Sequence, residues 1–85
     1  MEGRRLVFAD GTIIENGEAG YADGVLACFI RGKSIAEVFF IFNDPDKARR
    51  IVFQYGEMQD VYEGFTQIAY LLDGDRISVG LRRPE

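Results

Sequence analysis

Tyr55-Gly56-Glu57-Met58-Gln59-Asp60-Val61-Tyr62-Glu63-Gly64-Phe65-Thr66 can be a helix with its acids in line, or a turn and a returning strand. On a helix, Glu57, Asp60 and Glu63, spaced by three, would share one face. Gly56 and Gly64 argue against that, because glycine loses more conformational freedom in a helix than any other residue. The stretch therefore reads as strand: Gly56-Glu57-Met58 turns the chain, and Gln59–Glu63 returns beside Ile51–Tyr55. Gly64 marks a bulge or bend before the strand continues through Phe65–Leu71. On strands joined by a turn the three carboxylates scatter.

Two of the chain's three Asp-Gly pairs lie between runs read as β-rich. Leu6–Phe8 and Ile13-Ile14 flank Ala9-Asp10-Gly11-Thr12, and Phe65–Leu72 meets Ile77–Arg82 across Asp73-Gly74-Asp75. Asp-Gly between such runs predicts a hairpin, since Gly readily takes the positive φ of a type I′ turn. In the second hairpin, Ile77, Val79 and Leu81 alternate with Ser78, Gly80 and Arg82, the period of a half-buried strand. Val25–Ile30 is read as a central strand. Gly17–Gly24, with its closely spaced glycines, reads as a loop or an irregular edge.

Ser34-Ile35-Ala36-Glu37 has the form of a capping box, and Asn43-Asp44-Pro45 gives a stop, so Ile35–Phe42 is read as a short helix. The rival is a buried strand over Val38–Phe42, which its residue types favour. The capping signals on both sides decide for the helix. Asp44 can cap a further single turn with Pro45 at its first position. The predicted fold is α+β, an antiparallel β-meander or sheet with one short α-helix packed against it, in a single domain over 1–85.

The composition excludes several classes. The chain has 85 residues, 47% of them hydrophobic, with one cysteine and no histidine. A lone Cys28 inside Val25–Ile30 predicts a buried structural thiol, no internal disulfide and an intracellular setting. Without histidine, a Cys–His nucleophilic pair and the common zinc sets are excluded within one subunit. No cofactor or metal is implied, and an enzyme is not expected. The N-terminus lacks a signal-peptide apolar stretch, and no apolar run approaches the ~20 residues that span a bilayer, so a soluble protein with no membrane partner is expected. The net charge of −4 and pI near 4.7 disfavour direct nucleic-acid binding but suit a protein partner with a basic surface.

The candidate interface follows from residue type. Tyr21, Tyr55 and Tyr62 are the anchors, because tyrosine is enriched where binding energy concentrates. Glu57, Asp60 and Glu63, together with Asp73 and Asp75, supply the charge. Tyr70, inside an apolar strand, is assigned to the core rim. Arg82 and Arg83 read as edge-strand charges that discourage aggregation; with Arg49-Arg50 they could also hold a small anion. Gly20–Gly24 lacks the spacing of a phosphate cradle.

Leu6-Val7-Phe8-Ala9-Asp10-Gly11-Thr12, Phe42-Asn43-Asp44-Pro45-Asp46-Lys47 and the Tyr55–Thr66 stretch occur in that order. The combination resembles a set of small acidic proteins encoded by phages and prophages of Gram-positive gut bacteria, over about residues 6 to 82. No enzyme activity attaches to that set, so no catalytic residue is carried over. The resemblance implies a role in the bacterial host cytoplasm as an anti-CRISPR-like inhibitor of a defence protein, such as a nuclease. Its alternatives are a phage structural or tail-assembly subunit, which would form a homo-oligomer, and an oligomeric sponge for small nucleotides.

Overall fold

The computed structural model describes residues 3–84. Its strands are β1 (Arg4–Phe8), β2 (Ile13–Glu15), β3 (Glu18–Ala22), β4 (Val25–Arg31), β5 (Arg50–Tyr55), β6 (Met58–Glu63), β7 (Thr66–Asp73) and β8 (Arg76–Arg82). Between β4 and β5 lie α1 (Ile35–Phe42) and the single turn α2 (Pro45–Ala48). The fold is α+β, and every strand pairing is antiparallel. The meander is divided between two four-stranded sheets, ordered β2-β1-β5-β6 and β3-β4-β8-β7.

Both expected hairpins form. The best two-residue turn lies elsewhere, at Asp23-Gly24, within the segment read as loop or irregular edge. Asp23 at φ 53° and Gly24 at φ 78° give the pair of positive angles that a type I′ turn demands. Glu18–Ala22 is accordingly an edge strand paired to β4 from Glu18↔Phe29 to Ala22↔Val25. Its glycine and alanines have little strand preference, so the turn and the partner hold it rather than its own residues.

Gly64, at φ +79°, does more than bend a strand. It stands where the chain leaves the first sheet after Glu63 and enters the second at Thr66, so β6 and β7 have different partners. Gly17 marks another crossing, from β2 to β3. It is buried, and a Cβ there would lie 2.9 Å from Leu6 Cγ.

Alternation builds the core. In β4 and β8 every second side chain is buried: Leu26, Cys28 and Ile30 against Ile77, Val79 and Leu81. Leu6, Phe8, Ile14 and Ile51 face them from the first sheet within one hydrophobic cluster. Each such fully buried side chain stabilises by about 1.5–3 kcal/mol relative to exposure. The α1 helix adds Val38, Ile41 and Phe42, with the Phe42 ring edge-on to Phe8 at 5.3 Å.

The capping box is present in full. Ser34 Oγ accepts from Glu37 N–H at 3.2 Å, and Ser34 N–H donates to Glu37 Oε1 at 2.8 Å. Asp44 caps α2 by accepting from Asp46 and Lys47 N–H. Lys47 then bridges back to Asp10 in the β1–β2 turn at 2.8 Å, which ties the helices to the first sheet. Among the described residues no helix is long and apolar enough to cross a membrane.

Candidate functional site

The β5–β6 register places Met58, Asp60 and Tyr62 on the same side of the first sheet as Ile51 and Phe53, the side that carries the core. The second sheet does not cover all of that side. Met58 is 61% exposed, and Tyr55 and Asp60 are half-buried, so the outer end of β6 forms a ledge. Tyr55 stacks on Phe53 at 4.6 Å, and its hydroxyl donates to Asp60 Oδ2 at 3.1 Å. That bond, with the neighbouring negative charge, holds the Tyr55 hydroxyl above its ordinary pKa.

At the inner end of the ledge the edges of the two sheets meet. Tyr21 on β3 lies 6.5 Å from Tyr62 on β6, ring centroid to ring centroid. Phe65, just past the Gly64 crossing, is edge-on to both, at 5.7 Å from Tyr21 and 6.2 Å from Tyr62. The Arg83 guanidinium lies 4.6 Å from the Phe65 centroid and donates through Nε to the Glu63 carbonyl at 3.3 Å. Partial burial, then the Asp60 charge, raises the pKa of Tyr62. Tyr21 remains half exposed.

The fold therefore gathers Tyr21, Tyr55, Asp60 and Tyr62 of the sequence-derived set and separates the rest. Glu57 sits in the β5–β6 turn at the ledge's tip. Glu63 points to the opposite side of the sheet, where it pairs with Arg50 at 3.6 Å. Asp73 and Asp75 lie at the far end of the β7–β8 hairpin, about 20 Å along the strands at ~3.3 Å per residue. There they pair with Arg76 and Arg31. Period 3 on a strand of period 2 sends successive carboxylates to different faces, so these five carboxylates do not form one continuous patch.

Two contributors, Phe65 and Arg83, were assigned otherwise from sequence. Phe65 was read as the continuation of one strand, whereas it follows the switch between sheets. Arg82 and Arg83 were read as edge charges, yet β8 lies inside its sheet between β4 and β7. Tyr70 matches the core-rim assignment: its ring packs on Phe39 at 4.4 Å and its hydroxyl donates to Asn43 at 3.3 Å.

Cys28 is fully buried, and burial pushes its thiol up to about 12, so it is no nucleophile at neutral pH. Among the described residues, no three acidic or cysteine side chains converge as a metal set. A cleft of about 390 Å³ between the helices and the Gly64 crossing is lined by Phe42, Ala48, Arg49 and Phe65, but its floor is apolar. Comparison with protein families, curated proteins and solved structures finds no match.

Proposed function

We propose that the chain is a non-enzymatic interaction protein that docks a protein partner on the ledge running from Met58 to Tyr21. The carrying observation is the convergence of Tyr21, Tyr62, Phe65 and Arg83 where the edges of β3 and β6 meet. Tyr and Arg are residue types in which binding energy concentrates, and the two tyrosines, carried on strands, lose little rotamer freedom on docking, while Arg83, just past β8, is held by its bond to the Glu63 carbonyl. Asp60 and Glu57, in no ion pair among the described residues, supply charge complementarity to a basic partner surface. The phage resemblance supports a bacterial defence protein as that partner, with inhibition by surface occupancy.

Affinity capture from host lysate with the wild type, Tyr21→Ala, Met58→Ala and Asp75→Asn tests this. A protein retained by the wild type and Asp75→Asn but lost from the other two is expected. Equal retention by all four variants removes the ledge as the interface.

A further inference from the structure

We infer that the cleft between the helices and the Gly64 crossing binds a small aromatic carboxylate, with its ring on the apolar floor and its carboxylate on Arg49. At about 390 Å³ the cleft lies within the range of small-molecule sites, which are mostly apolar with a few placed polar groups. Phe42, Ala48 and Phe65 make the floor. All three are almost fully buried, so the core fixes that floor before any ligand arrives. The space above it exists because two neighbouring side chains are small. Ala48 contributes one methyl, and Gly64 leaves nothing within 4 Å of where its Cβ would stand.

The rim supplies donors. Arg49 caps the C-terminal end of α2, and its carbonyl accepts from Gly64 N–H at 3.2 Å, which ties the two walls together. Its guanidinium is in no ion pair or hydrogen bond among the described residues. Asn43 accepts from the Tyr70 hydroxyl through Oδ1, which leaves its amide N–H groups for a ligand. The lining carries no carboxylate. Nearby, Glu63 is taken by Arg50 and Asp44 by Lys47. A guanidinium without an acid to pair, beside an apolar floor, selects an anion, and its planar fork takes a carboxylate through two parallel N–H bonds. One such group balances one negative charge. Asp46, three residues before Arg49, and the net charge of −4 act against a polyanion. The rings of Phe42 and Phe65 favour a flat aromatic body, which can stack offset or edge-on. The site goes beyond the docking ledge, with which it shares Phe65 alone.

Titration of the isotope-labelled protein with naphthoate, followed through backbone amide chemical shifts, tests the site. Saturable shifts are expected at Ala48, Arg49, Phe65 and Gln67, with a dissociation constant of roughly 0.1–1 mM for a ligand of this size. Naphthylmethanol, which keeps the ring and lacks the charge, should bind the same residues about 5–10-fold more weakly. Arg49→Gln should bring naphthoate down to the affinity of the alcohol and leave the alcohol unchanged. The Arg49 side chain is exposed and holds nothing in the fold, so this variant should fold as the wild type does. Arg31→Gln removes the same charge at the far end of β4 and should bind as the wild type. No saturable shift up to about 5 mM overturns the inference. So do shifts centred away from the cleft, or naphthoate binding that Arg49→Gln leaves intact or Arg31→Gln weakens equally.

Discussion

Gly17 offers a sharp test of how the two sheets close on one another. In Gly17→Ala the added Cβ would stand 2.9 Å from Leu6 Cγ, 3.0 Å from Leu6 Cδ1 and 3.4 Å from Ile14 Cγ2. Leu6 and Ile14 are both fully buried, so neither can swing into solvent. Overpacking of this kind costs about 1–3 kcal/mol. Gly17 lies outside the positive-φ region, so alanine adds no backbone strain and recovers about 0.4–1 kcal/mol by restricting the unfolded chain. The net loss is about 1.5 kcal/mol, or about 6–12 °C in Tm for a domain of this size. Gly20→Ala is the matched control: it also avoids positive φ, and nothing lies within 4 Å of its added Cβ. It should be neutral or slightly stabilising. Parallel urea and thermal melts decide between them. Equal stability of the two variants would refute the close approach of the β2–β3 crossing to Leu6.

Ser34→Ala removes one half of the capping box and should cost about 1 kcal/mol, read as a fall in Tm of about 4–8 °C. Cys28 should resist thiol reagents in the folded protein at pH 8 and react at the rate of unfolding; fast labelling of native protein would contradict its burial. Asp10 is held well below the usual carboxylate range, first by its hydrogen bond from Lys47 and then by Thr12. A depressed carboxyl stabilises above its unfolded value, 3.8, and that contribution fades as pH falls toward the folded value. Asp10→Asn should therefore lower Tm at pH 7, and the gap from wild type should narrow below about pH 4. A gap that widens in acid would reverse the sign of the linkage.

Local signals in this chain were legible where physics is local. Ser34 with Glu37, Asp44 before Pro45, and Asp-Gly at positions 10–11 and 73–74 each satisfy a nearby backbone requirement, and each marks the element it announced. The alternation of Ile77, Val79 and Leu81 likewise names their buried face. What alternation cannot name is the partner of a strand. Phe65–Leu72 was thus joined to the strand before it, although Gly64 sends it to another sheet. β8 was given the role of an edge because its arginines suit one, although strands lie on both sides of it. The contact of Tyr21 with Tyr62 spans 41 residues and leaves no trace in local pattern. The acidic stretch was legible as a surface; its division among three places follows from strand geometry and the far position of the β7–β8 turn.

The most direct measurement is site-specific photo-cross-linking in host lysate, with a benzophenone side chain placed at Met58 on the ledge or at Asp75 on the distant turn. Both positions are well exposed, so the fold should tolerate either. Docking on the ledge predicts one discrete adduct from position 58, suppressed by Tyr21→Ala, and none of the same mass from position 75. An adduct from position 75 alone, or one from position 58 that survives Tyr21→Ala undiminished, would contradict it.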